Sequence, residues 1–137
     1  MSHSVESHLR LDVKEYDQLI RQYVPGYENM LEMVVDTLRR LYPKKLHVLD
    51  LGTGTGALAH AIASHIDYAT LEIIDVDPKM LELAKSRLEP YKNRVQVLER
   101  SFADPLPGCD AIVPRFRCIT CTRAPINKKY FKIFFLL

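Results

Sequence analysis

Met30, Leu31, Val34, Val35, Leu38 and Leu41 recur at helical spacing through residues 28–42, and a similar apolar pattern runs through residues 6–23. The two stretches predict two leading helices, with Pro25 and Gly26 punctuating the chain between them. The period then changes: residues 46–51 form a short apolar run that predicts a first strand. Residues 56–66 are helix-like, residues 70–75 predict a second strand, and Pro78 sits where a helix accepts its first proline. That helix is expected to run to about residue 89. Residues 95–99 predict a third strand, and residues 110–113 begin a fourth. Strands alternating with helices predict an α/β fold.

Between the first strand and its helix lie Gly52, Gly54 and Gly56 at alternate positions. Without side chains, they let the backbone turn sharply and let a ligand lie against the main chain. This is the pattern of a nucleotide-cofactor loop. About twenty residues on, the second strand ends at Asp75, a carboxylate able to accept hydrogen bonds from both ribose hydroxyls. The spacing of Gly52, Gly54 and Ala57 also suits a dinucleotide, so the glycines alone leave two cofactor types open. Asp50 separates them. A carboxylate there would repel a pyrophosphate but attract a ligand carrying an α-ammonium and a sulfonium, such as S-adenosylmethionine.

Asp50-Leu51-Gly52-Thr53-Gly54-Thr55-Gly56 within residues 48–63 resembles motif I of the class I S-adenosylmethionine-dependent methyltransferases. Residues 71–84, with Asp75 ending the strand and Pro78 opening the helix, resemble the family's second motif. Residues 95–107 are similar to the segment that walls the adenine. The resemblance runs from about residue 16 to residue 113 and implies a Rossmann-like class I methyltransferase sheet. It further implies that Gly52, Thr53, Gly54 and Gly56 lie against the methionine and ribose of S-adenosyl-L-methionine, with Asp50 near the amino group. Asp75 would hold the ribose hydroxyls, Val76 would stack on adenine, and Ser101 and Phe102 would close its other edge. Many family members carry an acid where this chain has Ser101, a contact that a hydroxyl replaces only in part. Tyr23-Val24-Pro25-Gly26-Tyr27 is similar to a segment of carboxy-S-adenosylmethionine synthases in which the tyrosine touches the cofactor's methionine end. Tyr27 can equally pack at the start of the second helix. In-line methyl transfer needs mainly a well-held acceptor, so no catalytic residue is named.

The chain has 137 residues, 47% of them hydrophobic, which suits one modest core but is short for a six- or seven-stranded doubly wound sheet. The sheet is therefore expected to be truncated after strand four, leaving strand four or strand one as an exposed edge open to self-association. Charge divides the chain at residue 113: up to there, 13 Lys and Arg face 17 Asp and Glu, a net of −4, whereas residues 114–137 carry six basic residues and no acid. Three parts are expected: leading helices (1–45), a cofactor-binding core (46–113) and an atypical basic and apolar tail (114–137). Pro114 falls where a central strand should continue. Arg117-Cys118-Ile119-Thr120 can be encoded CGT-TGC-ATC-ACN, which one frame over reads Leu-His-His, as relatives have there. The tail is thus expected to be frame-altered, and the codons decide it.

The tail's Arg115, Arg117, Arg123, Lys128, Lys129 and Lys132, interleaved with Phe116, Tyr130 and Phe131, could form a nucleic-acid patch, but nothing upstream calls for one, and the acidic balance of residues 1–113 argues mildly against a nucleic-acid acceptor. Cys118 and Cys121 have metal spacing without a second pair, so no metal is expected. An odd count of three cysteines fits reduced thiols, and no run resembles a signal peptide or membrane span, so a cytoplasmic protein is expected. His47, His60 and His65 are read as surface or core residues rather than as bases. The methyl acceptor stays open. Two other readings remain beside the methyltransferase: a nicotinamide-dependent half-domain, disfavoured by Asp50, and a non-catalytic remnant or partner-binding fragment.

Overall fold

A computed structural model describes residues 13–101 and 104–114. In order they form α1 (Val13–Tyr23), α2 (Tyr27–Leu41), β1 (Leu46–Leu51), α3 (Ala57–His65), β2 (Ala69–Asp75), α4 (Pro78–Leu88), a 3-10 helix (Glu89–Arg94), β3 (Val95–Glu99) and β4 (Ala111–Pro114). β1 and β3 coincide with the expected strands. Asp77 starts α4 because its carboxylate accepts the Lys79 backbone N–H at 3.0 Å, with Pro78 in the first turn, where no N–H is needed.

All pairings in the sheet are parallel, and the strand order is β3-β2-β1-β4. Asp50 of β1 lies level with Ile73 of β2 on one side and Val113 of β4 on the other. Of the two strands expected as a possible edge, strand four is the outer one and strand one is not: among the described strands the outer ones are β3 and β4. The reason is topological, since the crossovers place β2 and β4 on opposite flanks of β1. Pro114 is the last residue of the outer strand β4, opposite Leu51, a place where a missing N–H is tolerated. The proposed frame change and the tail's basic and cysteine residues from 115 onward lie outside the described residues.

One face of the sheet is covered by helices. Val34, Val35 and Leu38 of α2, Leu58, Ile62 and Ala63 of α3, and Ala84 and Leu88 of α4 close over Leu46, Val48, Leu71, Ile73 and Val113. Fully buried members such as Leu38, Ile62 and Ile73 each contribute roughly 1.5–3 kcal/mol. The other face holds a smaller cluster: Leu49, Leu51, Ile74 and Ile112 with Cys109, capped by Leu98 and Leu106. Arg94 joins the layers. Its guanidinium donates to the carbonyls of Ala63 (2.7 Å), Ile66 (3.1 Å) and Ala69 (2.7 Å), satisfying the end of α3 and the start of β2. Among the described residues no helix is long and apolar enough to cross a membrane.

Candidate cofactor site

Parallel strands end together, so the loops after β1, β2 and β3 meet at one edge, where ligands of open α/β sheets bind. The loop after β1 turns through three glycines in the left-handed region, Gly52 (φ 71°), Gly54 (φ 57°) and Gly56 (φ 78°). It is held down from several sides. Gly52 N and Thr53 N both donate to the Ile74 carbonyl at the end of β2, at 2.8 and 3.0 Å. The Thr53 hydroxyl donates to Asp50 Oδ2 at 2.8 Å, and both side chains are buried.

Asp75 ties the two loops to each other. Its Oδ2 accepts the Gly54 N–H and its Oδ1 accepts the Asp77 N–H, each at 2.9 Å. Each carboxylate oxygen has a further lone pair, so the fixed group can still accept two hydroxyls. Asp77 is buried and caps α4, whereas Asp75 is half-buried at this edge. Between them Val76 is 45% exposed, an apolar surface open to solvent. Arg100 N donates to the Asp75 carbonyl at 3.3 Å, which brings the following Ser101 to the same edge. The Ser101 N–H in turn donates to Asp104 Oδ2 at 3.2 Å.

The structure thus brings together Asp50, Gly52, Thr53, Gly54, Gly56, Asp75, Val76 and Ser101. Phe102 lies outside the described residues. Tyr27 opens α2 with its ring buried in the helix-covered core and the Arg21 guanidinium 5.9 Å from its centroid. His60 meets Tyr91 edge-on at 5.7 Å, and its pKa is lowered first by burial, then by Arg87 and His65. His47 sits away from this edge, hydrogen-bonded to Thr70 at 2.8 Å and 3.3 Å from Glu72. Burial, helped by Asp110 and Glu72, pushes the Cys109 thiol up to about 11.

Sequence reasoning missed the residues that surround the loop. Asp104 supplies a carboxylate beside Ser101, accepting its backbone N–H at 3.2 Å. Thr55, 2% exposed, bonds to Asp17 of α1 and Arg87 of α4. Only Asp77 left a local signal, the Asp-Pro pair that announces a capped helix start.

A parallel sheet of this order, with a glycine loop after its first strand and an acid ending its second, defines a Rossmann-like nucleotide-cofactor domain. Residues 48–132 match the family model described as "Methyltransferase domain", and the chain belongs to that family, among the class I S-adenosylmethionine-dependent methyltransferases. It is 30% identical over 93 residues to carboxy-S-adenosyl-L-methionine synthase of Citrobacter koseri, covering 65% of this chain and 38% of that protein. The chain thus spans well under half the length of such relatives. An amino pentose methyltransferase of Micromonospora echinaspora, solved with S-adenosylmethionine bound, superposes with a TM-score of 0.57 at 27% identity, covering 77% of this chain and 42% of the other. Magnesium protoporphyrin IX methyltransferase of Synechocystis shares the fold, with a TM-score of 0.59 at 20% identity over 76% of this chain and 62% of that one.

Proposed function

We propose that the chain binds S-adenosyl-L-methionine at the carboxyl edge of its sheet and serves methyl transfer to an acceptor. The observation that carries this is the Asp75 carboxylate, fixed by the Gly54 and Asp77 amides beside the exposed Val76. In this reading Asp75 accepts the ribose hydroxyls and Val76 packs on adenine. Ser101 closes the opposite adenine edge. Asp50 and the backbone from Gly52 to Gly56 face the methionine part, where a buried carboxylate favours an ammonium. The bound cofactor would supply an electrophilic methyl group on a sulfonium. The protein's own contribution is to hold it in a fixed orientation, since alignment dominates such displacements.

Isothermal titration with S-adenosylhomocysteine tests this reading. Wild type should bind and NAD should not, and Asp75→Ala should weaken binding by about 10- to 100-fold, as expected for losing hydrogen bonds to a charged group. A folded wild-type chain that gives no heat would overturn it and favour a non-catalytic remnant. The similarity to carboxy-S-adenosylmethionine synthases favours a second reading of the same pocket, in which the product is a carboxylated cofactor. Mass analysis of the cofactor separates the two: with a methyl acceptor the first reading gives S-adenosylhomocysteine, one methyl lighter, whereas the second gives a cofactor heavier by a carboxyl group only when a carboxylic acid able to donate that group is supplied.

A further inference from the structure

The loop has a second tether, which the cofactor contacts do not use. The Thr55 hydroxyl donates to Asp17 Oδ1 of α1 and accepts from Arg87 Nη1 of α4 at 3.1 Å, while Arg87 Nη2 donates to Asp17 Oδ2. The ring is closed: one carboxylate, one guanidinium and one hydroxyl satisfy one another. Its members come from two helices and the loop, with Asp17 70 positions from Arg87 and 38 from Thr55. Asp17 and Thr55 are buried, so the charges are paired where an unpaired one would be costly.

Its place in the loop gives the ring its meaning. Thr55 stands between Gly54, whose N–H binds Asp75, and Gly56, which starts α3. Glycine-rich backbone loses the most conformational freedom on ordering, and a loop that must order upon binding lowers affinity. Thr53 fastens the first half of the loop to Asp50 at the end of β1, and Thr55 fastens the second half to α1. We propose that Asp17 is a positioning residue for the cofactor, acting through Thr55 and Arg87 to hold the loop, so that the leading helix sets cofactor affinity. This rests on the reading of the edge as the seat of S-adenosylmethionine.

The test is titration with S-adenosylhomocysteine of wild type, Asp17→Asn, Thr55→Val and Thr55→Ser, at a temperature where circular dichroism shows each fully folded. Thr55→Val and Asp17→Asn should each bind about tenfold more weakly, and their combination no more weakly than either alone, because residues of one network are not additive. Thr55→Ser, which keeps the hydroxyl, should stay within about twofold of wild type. A purely structural role would lower the melting temperature and leave the affinity of the folded protein unchanged. Should Asp17→Asn fail to fold, the nearly isosteric Thr55→Val carries the test. Folded Thr55→Val binding as tightly as wild type overturns the inference and leaves the cofactor reading standing. Absence of binding by wild type removes both.

Discussion

α2 and α3 begin alike, each at a glycine in the left-handed region with no side-chain cap: Gly26 at φ 74° and ψ 18°, and Gly56 at φ 78° and ψ 20°. Their surroundings differ. A Cβ added at Gly26 would meet nothing within 4 Å, whereas at Gly56 it would lie 3.0 Å from Ala84 Cβ and 3.2 Å from Ala84 Cα. At Gly26 glycine answers a turn alone. At Gly56 it also lets the start of α3 press against α4, which locks the end of the cofactor loop to the helix that carries Arg87. The same backbone conformation is thus a local convenience in one place and part of an interlocking joint in the other.

The largest effect should come from Gly56→Ala, where left-handed strain adds to overpacking against backbone, for a loss of about 2–5 kcal/mol in urea melts. Weaker S-adenosylhomocysteine binding should accompany it. Gly26→Ala carries the strain without the clash and should cost about 1–2 kcal/mol, with affinity unchanged. Equal losses at the two positions would break the comparison. Adding Ala84→Gly to Gly56→Ala sharpens it, since removal of the facing methyl should return part of the lost stability, while the same addition to Gly26→Ala should return none.

The smallest effects are read by titration. His60 N donates to the Gly56 carbonyl, and the lowered pKa of His60 means that the folded state resists its protonation. Its contribution is therefore present above pH 6.5 and is lost as pH falls below it, so His60→Gln should flatten stability measured over that range. No histidine lies near Gly26 in sequence to produce a matching slope. Cys109 behaves in the opposite sense. With its folded pKa raised from 9.0 to about 11, its contribution is present below pH 9 and is lost as pH rises toward 11, and Cys109→Ser should remove that alkaline loss.

Features written over a few neighbouring residues were legible in the sequence. The apolar run Leu46–Leu51, the Asp-Pro start of α4 and the alternate glycines each carry their own signal, and the structure has the strand, the helix and the turn there. The acid ending β2 was legible for the same reason. The tethers were not. Arg94 serves carbonyls 25 to 31 residues away, and Asp17 pairs with Arg87 across 70, so nothing adjacent to either marks its role. The 3-10 helix Glu89–Arg94 escaped because six residues are too few for an apolar period, while the turn delivers Arg94 to α3. Whether strand four or strand one would be outermost was left open, since it depends on which flank of β1 each crossover returns to.

The strand order has a consequence for how the molecule is made. Asp110, which clasps His47 through two hydrogen bonds at the entrance to β4, lies 63 positions after it. On a ribosome adding ~5–20 residues per second, a nascent chain with β1 already emerged waits roughly 3 to 13 seconds for the segment that covers its second flank. During that wait, one flank of the strand that anchors the cofactor loop has unpaired backbone groups, and residues 111–114 are what pair with it.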